Sequence, residues 1–207
     1  MKDLSWLKTN PAIPLIICPS KKFLYFRLPK NAGTSIYINI LKVELPDCMQ
    51  MKYFKEKYDE ALNSLTLEDF NSWFKFVIVR NPYARAVSSY VYLQQFRDSR
   101  GHTTLESFLK SVKEGEGSQR FKTHTMPQHP GYMHDGELFC DYIGKVEELE
   151  ECWPSLADRL GVSRELPHAN KSGARHYSHY YDAVTKAMVE EIYSVDFEYL
   201  NYRFEEE

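Results

Sequence analysis

Phe74-Lys75-Phe76-Val77-Ile78-Val79-Arg80-Asn81-Pro82-Tyr83-Ala84-Arg85-Ala86-Val87-Ser88-Ser89-Tyr90 changes its periodicity in the middle. The first six residues form a short apolar run rich in aromatic and β-branched side chains, which reads as a buried strand. Pro82 ends it, because the residue before a proline is pushed out of the helical region. A helix then starts at once: Tyr83, Ala86, Val87, Tyr90 and Val91 recur at the spacing of one helical face. The same strand, loop and helix occur upstream. Phe23-Leu24-Tyr25-Phe26-Arg27-Leu28 is a second apolar run closed by Pro29, and Lys30-Asn31-Ala32-Gly33-Thr34-Ser35 is a loop with a helix cap. Ile36, Ile40 and Leu41 follow at helical spacing. Alternating units of this kind predict an α/β domain with a mainly parallel central sheet flanked by helices, in which residues 23–28 and 74–79 are adjacent inner strands.

Working outward, Thr66 with Asp69 three residues on predicts a capped short helix through Trp73, and Thr103 with Glu106 predicts another through about Val112. Residues 43–63 read as a loop and one exposed helix. Residues 113–136, rich in Gly, Pro and His, are expected to be one long loop, a feature that in a compact domain is usually functional or mobile. Asp141-Tyr142-Ile143-Gly144 predicts a short strand, followed by a helix over 147–160 that ends with Gly161 at its C′ position. Residues 166–181 read as polar loop. Asp182 is expected to cap a last helix with Val184, Met188 and Ile192 on one face.

A length of 207 residues suits one domain, expected to span residues 1–207. With 26 basic and 29 acidic residues the formal net charge is −3, whereas a general nucleic-acid binder is normally basic, so no nucleic-acid partner is expected. The apolar residues Leu15 to Cys18 fall far short of the ~20 that a membrane span needs, and no secretory signal is recognised, so the expected compartment is cytoplasmic. Cys18, Cys48, Cys140 and Cys152 form no Cys-x-x-Cys pair and read as free thiols. His124, His129, His134 and Cys140 are spaced by 5, 5 and 6 residues, which matches no tight ligand pattern, so no metal is expected.

The chemistry is concentrated in the loops after the two best strands, because ligands of such sheets bind at the carboxyl ends of strands. In the first loop Gly33 lets the backbone approach a phosphate. Thr34 and Ser35 offer hydroxyls at a helix N-terminus that favours negative charge, and Lys30 adds a full positive charge. Lys30 precedes Gly33, whereas the lysine of a nucleotide-triphosphatase P-loop follows the last glycine, so that cradle is not supported. In the second loop Arg80 presents a planar fork that matches phosphate oxygens, and Ser88, two helical turns on, can face back toward it. Residue by residue, a plain helix cap at Gly33-Thr34-Ser35 and a structural ion pair at Arg80 also fit.

Four ordered motifs carry a resemblance. Residues 27–35, residues 77–90, Asp141-Tyr142-Ile143-Gly144-Lys145-Val146-Glu147-Glu148-Leu149-Glu150 and Leu166-Pro167-His168-Ala169-Asn170-Lys171-Ser172 resemble carbohydrate sulfotransferases of the heparan sulfate 2-O- and chondroitin-type families. The likeness covers roughly residues 23–204 and implies the P-loop-like nucleotide-binding architecture of sulfotransferases. It also implies a donor, 3′-phosphoadenosine 5′-phosphosulfate (PAPS, product PAP), whose two anionic ends match the two loops. By this resemblance the 5′ phosphosulfate is held by Lys30, Asn31, Ala32, Gly33, Thr34 and Ser35, and the 3′ phosphate by Arg80 and Ser88. Asn170, Lys171 and Ser172, with Arg175 and Tyr177, match the segment that closes over the nucleotide. The implied acceptor is a hydroxyl, by family that of a carbohydrate. Lys30 is placed to neutralise the leaving oxygen, and the scheme requires no metal. Golgi relatives carry an N-terminal membrane anchor, so this chain is expected to be a soluble bacterial-like member or one whose anchor has been removed.

The likeness breaks at one point. Heparan sulfate 2-O-type relatives carry acceptor-activating histidines between the first helix and the second strand, and residues 36–79 here contain none. His124, in His124-Thr125-Met126-Pro127-Gln128, resembles a histidine-led segment of chondroitin-type enzymes and is the candidate base. A carboxylate among Glu56, Asp59, Glu60, Glu68 and Asp69 is the rival. Two other classes stay open on the sequence: a non-catalytic nucleotide-binding or regulatory protein on the same fold, and a small kinase-like phosphotransferase.

Overall fold

The two apolar runs expected as inner strands pair with each other. In the computed structural model, which describes residues 3–9, 15–50, 55–96, 101–166 and 175–206, β2 (Phe23–Phe26) and β4 (Phe74–Val79) run parallel, in a register from Phe23 opposite Phe74 to Phe26 opposite Val77. The described chain falls into two compact units, each built from two stretches of sequence: Met1–Val79 with Pro130–Asn170, and Arg80–His129 with Lys171–Glu207.

The first unit contains α1 (Ser5–Thr9), β1 (Leu15–Cys18), β2, a π-helix (Thr34–Leu41) continued by α2 (Lys42–Glu44), β3 (Met49–Gln50), α3 (Lys55–Ser64), α4 (Leu67–Ser72) and β4. Its second stretch adds a small hairpin of β5 (Met133–His134) and β6 (Glu137–Leu138), then β7 (Tyr142–Lys145) and α8 (Leu149–Leu160). The sheet order is β3-β1-β2-β4-β7. β2, β4 and β7 are parallel, while β1 is antiparallel to both β2 and β3, so β1 alone opposes the other strands. The apolar residues 15–18 are therefore a strand hairpinned to β2, with Lys22 in the left-handed region at φ 52° and its N–H donating to the Pro19 carbonyl.

β2 is buried at every residue, the mark of a strand covered on both faces. On one face Tyr25 stacks on Phe76 with ring centroids 4.5 Å apart, and the π-helix residues Ile36, Tyr37, Ile40 and Leu41 pack there with Leu149, Trp153, Leu156 and Leu160 of α8. Phe26 meets Phe139 at 4.8 Å. β4 is not apolar throughout, because Lys75 is buried. Its Nζ lies 3.1 Å from Asp141 Oδ2 and donates to the Trp73 carbonyl, so the buried charge is paired and hydrogen-bonded. Thr66 caps α4 in a capping box with Asp69, and Gly161 ends α8 in the left-handed conformation at φ 69°, both as the sequence implies.

The second unit is helical: α5 (Pro82–Leu93), α6 (Leu105–Lys113), α7 (Gln119–Thr125), α9 (Ala183–Ile192) and α10 (Ser194–Leu200). Its core gathers Tyr83, Ala86, Val87 and Leu93 with Leu105, Phe108, Phe121, Val189 and Tyr193. Three sequence expectations are corrected here. The cap of α6 is Thr104 with Ser107, one residue later than Thr103 with Glu106. The expected long loop over 113–136 contains α7, because Ser118 accepts the Phe121 N–H as an N-cap and Phe121 and Thr125 bury one short face. Of the expected face of α9, Met188 and Ile192 pack against this core but Val184 is exposed, and the fully buried residues of the helix are Thr185 and Val189. Among the described residues no helix is long and apolar enough to cross a membrane, and the four cysteines are free thiols.

Candidate functional site

Parallel pairing makes β2 and β4 end at the same edge of the sheet, and the first loop leaves from that edge. The loop is pinned at its middle. Asn31, fully buried, donates from Nδ2 to the Ile78 carbonyl at 2.8 Å, tying the loop to the backbone of β4. The two residues flanking Asn31 adopt a conformation that L-residues rarely take: Lys30 has φ 70° and Ala32 φ 55°. Each such residue costs of order ~1–3 kcal/mol and persists only where surrounding contacts over-determine it. Here the Asn31 anchor and the Ile36 N–H to Ala32 carbonyl bond supply those contacts. Ala32 is left-handed and Gly33, at φ −60° and ψ −23°, is right-handed; successive residues of opposite hand make N–H groups converge into an anion-binding concavity.

A steric demand also bears on Gly33. Its φ is open to any residue, but a Cβ there would sit 2.6 Å from Arg27 Nε and 2.9 Å from Arg27 Cγ. Arg27 lies across the loop: its Nε donates to the Gly33 carbonyl at 3.1 Å, and its guanidinium stands 5.9 Å from the Tyr37 ring centroid. Sequence reasoning gave Arg27 no role, although it sits inside the first motif. Thr34 is exposed, Ser35 is buried and Lys30 is half-buried, so Thr34 is the more open of the two hydroxyls.

In the second unit Arg80 is half-buried, and its main chain is held by Gln128, which accepts the Arg80 N–H at 2.9 Å and donates to the Arg80 carbonyl at 2.8 Å. Asn81 caps α5 by accepting the Tyr83 N–H, and its Nδ2 donates to the Arg203 carbonyl. Ser88 is half-buried on α5, and its neighbour Ser89 donates to the His124 carbonyl at 2.8 Å. A second arginine went unnoticed in the sequence. Arg85 is fully enclosed, donates from Nη1 to the Met126 carbonyl at 2.6 Å, and has its pKa lowered by burial.

His124 is half-buried on α7, stacked on Tyr92 with ring centroids 4.9 Å apart. Its Nδ1 lies 2.9 Å from the Arg120 carbonyl. A carbonyl can only accept, so in the neutral ring Nδ1 carries the hydrogen and Nε2 the basic lone pair. Of the rival acids, Asp69 is engaged as a cap, its carboxyl held below the usual range by hydrogen bonds from Thr66. Glu60 is exposed on α3. Asn170, Lys171 and Ser172 lie outside the described residues; Arg175 is exposed and Tyr177 buried. Among the described residues no group of three or more His, Cys, Asp or Glu side chains could hold a metal ion.

Comparison with known proteins supplies the context for these loops. The model of the sulfotransferase family matches residues 14–203. An archaeal protein from Archaeoglobus fulgidus, described only as uncharacterized, is 28% identical over 97 residues, 47% of this chain and 75% of that protein. A crystal structure of a sulfotransferase from Alicyclobacillus acidocaldarius is similar at a TM-score of 0.42 and 14% identity, covering 83% of this chain and 74% of that one.

Proposed function

The chain belongs to the sulfotransferase family, and from that premise we propose that it transfers the sulfuryl group of 3′-phosphoadenosine 5′-phosphosulfate to a hydroxyl of a carbohydrate acceptor. When bound, the donor supplies an activated sulfuryl group with adenosine 3′,5′-bisphosphate as the leaving group. The observation that carries the reading is the first loop, whose backbone is held in an anion-accepting shape by Asn31 and Arg27 beside the half-buried Lys30. Lys30 to Ser35 take the 5′ end of the donor, and Lys30 neutralises charge on the leaving oxygen. Arg80 and Ser88 take the 3′ phosphate. His124 accepts the proton of the acceptor hydroxyl at Nε2, a role that its Nδ1 contact with Arg120 favours by fixing the tautomer. Transfer of this kind depends on alignment and charge stabilisation more than on covalent chemistry by the protein. The carbohydrate acceptor rests on the resemblance of the four motifs.

The experiment is a thermal-shift panel with adenosine 3′,5′-bisphosphate, 5′-AMP, ATP and NAD. A ligand at 100 times its dissociation constant adds about 2.7 kcal/mol of stability. The bisphosphate is expected to protect most and 5′-AMP much less, because only the former carries a group for Arg80 and Ser88. Equal shifts from those two would remove the second loop from donor recognition, and protection by ATP or NAD alone would overturn the donor.

A further inference from the structure

β4 ends at Val79, so Arg80 is the first residue past the strand, and a single side chain occupies both of its main-chain groups. The Gln128 carboxamide takes the Arg80 N–H on Oε1 and gives a hydrogen from Nε2 to the Arg80 carbonyl, the two-bond exchange that a neighbouring strand would make. A carboxamide offers a donor and an acceptor on one planar group in this arrangement without any change of protonation. Gln128 is itself fully buried and firmly placed. Its own N–H donates to Asp196 Oδ2 at 2.7 Å, and the next N–H, that of His129, donates to Asp196 Oδ1 at 2.7 Å. Asp196 is fully buried on α10, and each of its carboxylate oxygens accepts one N–H of the 128–129 backbone, with His129 Nδ1 also 3.5 Å from Oδ1. On the other side of Arg80, the Asn81 side chain is tied to the Arg203 carbonyl.

We infer that Gln128 is a positioning residue for Arg80: by clamping its main chain, with Asp196 behind the clamp, it sets where the guanidinium points and so sets the preference for a ligand bearing a 3′ phosphate. The inference rests on the proposed role of Arg80 in donor recognition. A guanidinium binds a phosphate through a directional fork, so a change in backbone direction at its root misaligns the fork without removing the charge. Gln128 makes this contribution through Arg80.

The test measures dissociation constants for adenosine 3′,5′-bisphosphate and for 5′-AMP in the wild-type chain and in Arg80→Ala, Gln128→Met and Gln128→Glu. The 5′-AMP constant divided by the bisphosphate constant isolates recognition of the 3′ phosphate, and 5′-AMP binding reports whether the rest of the protein is intact. Gln128→Met keeps the volume and removes both hydrogen bonds; Gln128→Glu keeps the shape and the acceptor for the Arg80 N–H but sets an oxygen against the Arg80 carbonyl. The expected result is that Arg80→Ala and Gln128→Met each lower the ratio by about tenfold or more, the scale of one lost hydrogen bond to a charged group, while 5′-AMP affinity is retained. Gln128→Glu should fall between them and the wild type. An unchanged ratio in Arg80→Ala would overturn the role of Arg80 and the inference with it. A collapsed ratio in Arg80→Ala beside wild-type ratios in both Gln128 variants would overturn the inference alone. Loss of 5′-AMP binding and of cooperative unfolding in both Gln128 variants would make Gln128 a fold residue and also overturn it.

Discussion

Replacing Gly33 by alanine separates two explanations of why a glycine stands in the first loop. Its backbone, at φ −60° and ψ −23°, suits alanine, so no conformational penalty arises. The new Cβ would instead lie 2.6 Å from Arg27 Nε and 2.9 Å from Arg27 Cγ, and because Cγ is near the root of the side chain, the whole arginine must move. Moving it breaks the Nε bond to the Gly33 carbonyl, a charged hydrogen bond of about 1.5–3 kcal/mol. It also removes the guanidinium from the Tyr37 ring, which contributes about 0.5–1 kcal/mol at partly exposed sites. Against this, alanine loses less backbone entropy on folding, a gain of about 0.4–1 kcal/mol. The net loss is about 1–3.6 kcal/mol, at about 2–4 °C in Tm for each kcal/mol in a chain of this size. Thermal unfolding without ligand, with urea titrations to check that the m-value is unchanged, measures it. In an Arg27→Ala background the same substitution should cost nothing or stabilise, so the double-mutant cycle should return a coupling close to the whole effect. A Gly33→Ala protein as stable as wild type, or equally destabilised with and without Arg27, would refute the clearance argument and return Gly33 to the phosphate-approach explanation.

Lys30→Ala should lower turnover by about 10²–10³ while weakening bisphosphate binding much less, as expected for a charge that acts mainly in the transition state; steady-state kinetics beside a binding titration decides it, and unchanged turnover would remove Lys30 from the mechanism. His124→Ala should abolish most turnover with bisphosphate binding intact, whereas Glu60→Ala should leave both alone; the opposite pattern would transfer the base to α3. Asp182 caps α9 by accepting the Thr185 N–H, and these hydrogen bonds hold its carboxyl below the usual carboxylate range. A depressed folded-state pKa gives stability that is fully present above the unfolded value near ~3.9 and is lost as pH falls through the folded value. Asp182→Asn keeps a capping oxygen but cannot titrate, so its Tm should fall less than the wild-type Tm between pH 5 and pH 3, and parallel profiles would show that this cap does not contribute to acid sensitivity.

The sequence exposes what is local and hides what joins distant segments. Residues 74–79 and 23–28 were legible as inner strands because their apolar character lies within one short run, although the second strand stops at Phe26, and Thr66, Gly161 and Asp182 were legible because capping is a matter of three or four neighbours. Leu15–Cys18 carries only four apolar residues, too few to show a period, and its identity as a strand comes from pairing with β2 and β3. α7 was hidden because Gly115, Gly117 and Pro127 bracket a helix of two turns whose buried face is little more than Phe121 and Thr125. The candidate site shows the same division more sharply. Lys30 and Arg80 announce themselves by charge in the loops after two strands, and Ser88 by its hydroxyl on the helix that follows. The groups that shape their surroundings are polar side chains reaching main chain far along the sequence: Asn31 to Ile78 across 47 residues, Gln128 to Arg80 across 48, and Asp196 to the Gln128 N–H across 68. Such bonds leave no periodicity, because a single buried carboxamide or carboxylate satisfies a backbone group wherever the fold delivers it. Arg27 belongs to the same class, and it adds a demand that the sequence does not show: a Cβ at Gly33 would meet the arginine that crosses it. Substitutions at Asn31, Arg27 and Gln128 should therefore alter ligand recognition through backbone shape, while those at Lys30 and Arg80 alter it through charge.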